Sequence, residues 1–94
     1  MNKCLRITMK ATFPDNFLMV FIQKQAKKFD LEGTAQLDDK DPKMIKIAVC
    51  GKGDSLDDFI DAIYSGTKGF ELHDLEIEPF LKEKEYRQVF RIIE

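Results

Sequence analysis

The stretch KATFPDNFLMVFIQKQAKKFDLEG, residues 10–33, decides the fold because a strand end, a turn and a helix follow one another within it. The first strand ends at Ala11, residues 12–16 form the turn, and the helix that follows closes at residues 30–33. A loop that leads into a helix N-terminus presents backbone N–H groups and the positive end of a helix dipole. Such a place is suited to binding an anion.

Composition indicates one soluble domain spanning residues 1–94. The chain is 44% hydrophobic and 34% charged, which is typical of globular proteins. No apolar run approaches the roughly 20 residues that span a bilayer, and the N-terminus lacks the apolar core of a signal peptide, so we expect a cytoplasmic protein without a membrane partner. A net charge of -2, with acids and bases interleaved, gives no reason to expect nucleic acid.

Hydrophobic spacing predicts the first strand and helix. Residues 4–11 alternate, which places Leu5, Ile7 and Met9 on one buried face. The helix begins after Asp15 or Asn16 as N-cap and carries one stripe at spacings of three and four. The stripe contains Leu18, Phe21, Ile22, Gln25, Ala26 and Phe29. The lysines near its end, Lys24, Lys27 and Lys28, are interpreted as a solvated face.

The remaining chain predicts a hairpin, a second helix and two more strands. Residues 33–37 and 45–50 pair across a turn at 38–42, and residues 51–54 form a connecting turn. The second helix begins with a capping box formed by Ser55 and Asp58 and stops at Gly66. After a loop containing His73, a fourth strand passes through Leu75 and Ile77, and residues 89–93 form a short last strand.

This order predicts an α+β fold, a ferredoxin-like α/β sandwich with the order β-α-β-β-α-β and a short extra C-terminal strand. An antiparallel sheet would carry both helices on one face. The first and third strands are neighbours in that sheet, so Cys4 and Cys50 are expected close together on the face away from the helices. We expect free thiols, as is usual in the cytosol. The two cysteines and His73 have no metal-ligand spacing, and we expect neither a metal nor another cofactor.

The chain resembles the acylphosphatase family over nearly its full length. The resemblance is carried by the strand at residues 5–9, the loop into Phe17 and Leu18, the segment at residues 25–33, the hairpin that ends at Gly51, and the terminal residues 90–93. In that family a glycine-rich loop ends in phenylalanine and arginine. The loop amides and the arginine hold the phosphate of an acyl phosphate, and an asparagine on the second strand orients the attacking water.

Carried onto this chain, the family's arginine position is Met19 and its asparagine position is Leu37, so no residue is assigned a catalytic role. The only arginines are Arg6, Arg87 and Arg91, and the only asparagines are Asn2 and Asn16. Gln36 is an amide next to the asparagine position, but it faces the other way along the strand. The candidate anion-binding loop consists of Pro14, Asp15, Asn16, Phe17, Leu18 and Met19, with Lys10 as candidate surrogate cation.

Three hypotheses follow for function. The first is an acylphosphatase-like domain, a pseudoenzyme that lacks efficient hydrolysis and acts as a small binding or interaction module. The second is an active acylphosphatase that hydrolyses acyl phosphates to carboxylate and phosphate through a site rebuilt around Lys10. The third is a protein-interaction domain whose partner adds a strand at a sheet edge. The expected ligand is a small anion or acyl phosphate, bound weakly, and no protein partner can be named.

Overall fold

A computed structural model of the chain describes residues 2–65, 70–82 and 85–93. In chain order, strand β1 is Asn2–Thr12, helix α1 follows, β2 is Glu32–Leu37, and β3 is Met44–Lys52. Helix α2 is Gly53–Ser65, and strands β4 and β5 are Glu71–Pro79 and Phe90–Ile93. The strands form one five-stranded sheet in the order β4-β1-β3-β2-β5. The predicted ferredoxin-like α+β fold is confirmed.

The last strand departs from the fully antiparallel sheet that was predicted. β1 pairs antiparallel with β3 and β4, and β2 pairs antiparallel with β3. β5, however, lies parallel to β2, with Gly33 beside Phe90 and Gln36 beside Ile93. β4 and β5 lie at opposite edges of the sheet, so the segment after β4 carries the chain from one edge to the other and thereby sets the direction of β5. The sheet is therefore mixed.

The core lies between the sheet and the two helices. Alternate residues of β1 and β3 form the sheet side of the core, as the sequence alternation predicts. Ile22 and Ala26 of α1, together with three residues of α2, form its helix side. Its fully buried members include Ile7, Met9, Ile45, Val49, Leu56, Phe59 and Ile63. Leu5 is only partly buried, because it lies near the end of β1.

The helix starts differ from their predictions. Helix α1 consists of a π-helical part, Leu18–Gln23, and an α-helical part, Lys24–Lys28. Phe17 precedes it, and no side chain caps its start, so the N-cap predicted at Asp15 or Asn16 is wrong. Strand β3 passes directly into α2 at Gly53, which leaves no connecting turn and places Ser55 inside the helix instead of at a capping box. The predicted stop at Gly66 lies outside the described residues.

The end of α1 is closed by a backbone motif. The N–H of Leu31 donates to the carbonyl of Ala26, and the N–H of Asp30 donates to that of Lys27. Asp30 has a φ of 58°, the left-handed conformation that a Schellman motif needs at this position. This closure turns the chain into β2 at Glu32.

The two cysteines are joined by a disulfide bond, which corrects the prediction of free thiols. Cys4 and Cys50 are directly opposite in the β1–β3 register, and their Cα atoms are 4.1 Å apart. They alternate with the core residues Leu5 and Val49, so the predicted proximity and face are confirmed. Sequence spacing shows such neighbours but not their oxidation state.

Gly33 allows the close contact between β2 and β3. Its φ is 142°, and a Cβ at this position would overlap the carbonyl oxygen of Ala48. Its N–H donates to the carbonyl of Val89 at 3.0 Å, just before β5. Gly33 therefore sets the position of β2 against both neighbouring strands.

We predict that Gly33→Ala destabilises the fold by at least about 1–3 kcal/mol, the usual cost of a residue held in a strained backbone region. The urea midpoint measured by circular dichroism would report the loss. The matched control is Gly53→Ala, where the nearest atom to a new Cβ is Lys3 Nζ at 3.8 Å. Since alanine favours helices, that variant is expected to be unchanged or up to about 1 kcal/mol more stable. Equal midpoints for Gly33→Ala and the wild type would refute the close-contact argument.

Asp38 organises the hairpin turn between β2 and β3. Its Oδ2 accepts hydrogen bonds from the backbone N–H groups of Lys40 and Asp41, both at 3.0 Å. Its Oδ1 lies 2.8 Å from Lys46 Nζ. The bond from Lys46, followed by the backbone N–H groups, lowers the pKa of Asp38 from its ordinary value of 3.8. Asp38 in turn raises the pKa of Lys46.

Because the pKa of Asp38 is lowered in the folded protein, its carboxylate stabilises the folded state at pH values above the pKa of Asp38 in the unfolded chain. This contribution is lost as the pH falls through the pKa of Asp38 in the folded state. We predict that Asp38→Asn lowers the urea midpoint at neutral pH, and that the difference from the wild type shrinks below about pH 4. Asp61→Asn on α2 is the control for removing one negative charge. A difference between Asp38→Asn and the wild type that is constant down to strong acid would contradict the ion-pair explanation.

Candidate functional site

The loop between β1 and α1 is anchored by aromatic side chains. Phe17 is buried, and its ring centroid lies 5.2 Å from those of Phe13 and Phe21 and 4.7 Å from that of Phe70. Phe21 and Phe70 also pack together at 5.1 Å. Aromatic pairs at these distances are favourable beyond the area they bury. The loop is therefore held from its inner side by four phenylalanines.

The backbone of the loop differs from a glycine-rich anion-binding loop. Asn16 has a φ of 64°, a left-handed conformation that asparagine tolerates better than most residues. Pro14 has no N–H to donate. The N–H of Val20 donates to the carbonyl of Asn16 at 2.8 Å and is used within the helix start. Neither Pro14 nor Val20 therefore offers a free backbone N–H to a ligand at this loop.

The loop forms one side of a cleft of about 390 Å³. The end of β2, the following turn and the end of β5 form the other sides. The lining residues taken from the predicted loop are Pro14, Asp15, Asn16, Phe17, Leu18 and Met19, and Phe13, Leu37, Asp38, Asp39, Ile92 and Ile93 complete it. We call this space the loop cleft.

Met19 and Leu37, the two positions singled out by the resemblance in the sequence analysis, both line the loop cleft. Met19 is 54% exposed and Leu37 is 41% exposed. The thioether and the isobutyl group offer no charge, and neither side chain can hold a water molecule by a strong hydrogen bond. The structure thus brings Met19 and Leu37 to one cleft, where both contribute apolar side chains.

The electrostatic character of the loop cleft is negative. It is lined by the carboxylates of Asp15, Asp38 and Asp39, and none of the described lining residues is a lysine, arginine or histidine. Asp38 is paired with Lys46, whereas Asp15 and Asp39 have no cationic partner within 4.0 Å among the described side chains. A phosphate in this cleft would meet uncompensated negative charge.

Lys10 and His73 lie outside the loop cleft. Lys10 is exposed on β1, opposite Met44 on one side and Asp74 on the other. His73 lies in strand β4, where a loop was predicted, and its Nε2 is 2.8 Å from Thr12 Oγ1. Gln36 faces away from Leu37 along β2 and does not line the cleft either. Of the residues singled out by the sequence analysis, the loop residues and Leu37 line the cleft.

Sequence reasoning missed several residues of the loop cleft. Asp38 and Asp39 directly follow Leu37, so their place at the end of β2 could have been anticipated; they were interpreted only as turn residues. Ile92 and Ile93 reach the cleft because β5 pairs parallel with β2, and the sequence has no signal for that pairing.

A larger cleft of about 770 Å³ lies at the other end of β2. It is lined by Lys27, Lys28 and Lys52, together with Asp30 and Glu32, and it contains none of the candidate loop residues. Glu32 Oε2 is 2.7 Å from Lys82 Nζ.

Within residues 2–65, 70–82 and 85–93, no group of three or more histidine, cysteine, aspartate or glutamate side chains is arranged to hold a metal ion. No helix in the same part of the chain has the length and apolar character needed to cross a bilayer.

Comparisons with known proteins agree with the fold described above. The acylphosphatase family profile matches residues 17–92. An acylphosphatase from Bacillus subtilis superposes with a TM-score of 0.83 at 20% identity, covering 100% of both chains. An acylphosphatase from Coxiella burnetii gives 0.82 at 17% identity, covering 98% of this chain and 93% of that one.

A part of a larger protein shares the fold as well. Full-length HypF, in a phosphate- and nucleotide-bound form, gives a TM-score of 0.79 at 17% identity, over 100% of this chain and 12% of HypF. A search of curated protein sequences finds no significant match. The structural likenesses show the fold, and the profile match over most of the chain shows the family. The chain belongs to the acylphosphatase family.

Proposed function

We propose that this acylphosphatase-family domain does not hydrolyse acyl phosphates efficiently and uses the loop cleft to bind a partner. One observation carries the proposal. Met19 and Leu37, which the family resemblance aligns with the family's arginine and asparagine, line one cleft. A guanidinium would offer two parallel charged donors to a phosphate, and a carboxamide would orient a water molecule. Neither group is available from these side chains.

The size of the expected loss supports an inefficient enzyme. Removing one preorganised donor from an oxyanion-type site costs roughly 2.7–4 kcal/mol, or a hundred- to a thousandfold in rate. Two such groups are replaced here. Asp15 and Asp39 add repulsion, which reaches about 4 kcal/mol for a unit charge 4 Å away at an effective dielectric constant of 20. The cleft therefore opposes phosphate where the family's site attracts it.

The alternative of a rebuilt hydrolase has less support. Lys10 is its only candidate cation, and this residue does not line the loop cleft. Lys10 on β1 is paired with Asp74 on β4, whose carboxylate would compete with a phosphate for the ammonium group of Lys10. An ammonium is also a point charge without the fork that binds phosphate oxygens in pairs.

We predict that the purified protein hydrolyses benzoyl phosphate at least about a thousandfold more slowly than the acylphosphatase from Bacillus subtilis does in the same assay. The decay of the acyl absorbance measures both rates. Lys10→Ala is expected to leave the residual rate unchanged. Hydrolysis at a rate comparable to that of the Bacillus subtilis enzyme, abolished by Lys10→Ala, would establish the rebuilt site instead.

A further inference from the structure

The apolar side of the loop cleft is formed by one face of the sheet and the start of α1. Leu37 and Ile92 pair with the core residues Ile45 and Ala35, so both lie on the sheet face that the helices cover. Met19 of α1 lines the same cleft. Apolar residues from three elements therefore border one space, which is typical of a binding site.

The loop cleft has the size of a small-ligand site and a fixed wall. Its volume of about 390 Å³ lies within the roughly 300–1,000 Å³ that is usual for sites of small organic molecules. The packing of Phe17 against Phe13, Phe21 and Phe70 holds the loop that forms one wall. Because this wall is already ordered, a ligand pays less entropy to bind against it.

The charges beside the apolar residues select a cation. Asp15 lies in the loop and Asp39 in the turn after β2, so two separate segments supply exposed carboxylates to the cleft. Neither has a cationic partner within 4.0 Å among the described side chains, whereas Asp38 already has Lys46 at 2.8 Å. No described lining residue is a lysine, arginine or histidine. The cleft thus favours a positive ligand over a negative one.

Building on the function proposed above, we propose that the loop cleft binds a small organic cation that carries an ammonium group on an apolar body. The apolar body covers Met19, Leu37 and Ile92, and the ammonium group pairs with Asp15 and Asp39. A metal ion would leave the apolar residues uncovered, and a neutral apolar molecule would leave both carboxylates unpaired. This assigns a ligand class opposite in charge to the acyl phosphates of the family.

The test uses the full ¹⁵N-labelled chain and 4-phenylbutylamine, whose amine is charged at neutral pH like that of lysine. At constant ionic strength, saturable amide shifts are expected at residues 13–19, 37–39 and 92. The carboxylate of the same shape, 4-phenylbutyrate, is expected to give no shifts there. Butylamine is expected to bind at least about tenfold more weakly, because it lacks the ring that buries apolar surface.

Charge variants of the chain test the carboxylates. Asp15→Asn combined with Asp39→Asn is expected to weaken binding of 4-phenylbutylamine roughly two- to thirtyfold, as for two exposed ion pairs, and more salt is expected to reduce this difference. Asp57→Asn combined with Asp61→Asn removes the same charge from α2 and is expected to change affinity by less than about twofold.

A second pair of variants tests the apolar contact. Met19→Ser is expected to weaken binding at least about threefold, because the ligand then covers less apolar surface. Val20→Ser is the matched control, since Val20 is the next residue of α1, is 66% exposed and does not line the cleft. It is expected to change affinity by less than about twofold. All six substituted side chains are exposed, so the variants are expected to fold.

Three outcomes would overturn the inference. The first is the absence of saturable shifts at the named residues with 4-phenylbutylamine. The second is equal binding of 4-phenylbutylamine and 4-phenylbutyrate. The third is a concentration-dependent shift of the same residues without any added ligand, which would identify a second copy of the chain as the occupant. Each is independent of the benzoyl phosphate assay, so the binding inference and the inactivity proposal fail separately.

Discussion

The packing of Phe17 is the interaction on which the loop cleft depends. This ring is buried against Phe13, Phe21 and Phe70 with centroid distances of 4.7–5.2 Å, so it ties the loop to helix α1 and to the segment before β4. Because the buried ring holds one side of the loop inward, the following residues, Leu18 and Met19, face the cleft. The shape of the cleft thus follows from core packing, and its chemistry follows from the residues placed on its rim.

This separation means that the family's architecture does not depend on the exposed residues of the loop cleft. The residues that build the fold are the alternating core positions of β1 and β3, the buried side of the helices, and Gly33. Met19 and Leu37 are largely exposed, and neither is part of the fully buried core. Exposed positions of this kind change with little effect on stability, so the chemistry of the loop cleft can vary while the sheet remains the same.

Much of the fold could be predicted from the sequence, because alternation and helical spacing directly reflect burial. The failures have physical causes. No side chain caps α1, whose first six residues, Leu18–Gln23, are π-helical, and propensity rules do not anticipate this geometry. The parallel pairing of β5 with β2 depends on the path of the preceding segment. That path also brings Ile92 and Ile93 to the loop cleft, which is why the sequence did not indicate these two residues. The loop and Leu37 were singled out through the family resemblance.

Our central proposal is that the loop cleft does not attract phosphate, and a titration of the ¹⁵N-labelled protein with inorganic phosphate tests it most directly. At constant ionic strength, we expect no shift of the amide signals of residues 12–20 at millimolar phosphate, because Asp15 and Asp39 line the cleft and none of its described lining residues is a cation. Saturable shifts confined to residues 12–20, with a dissociation constant below the millimolar range, would contradict it.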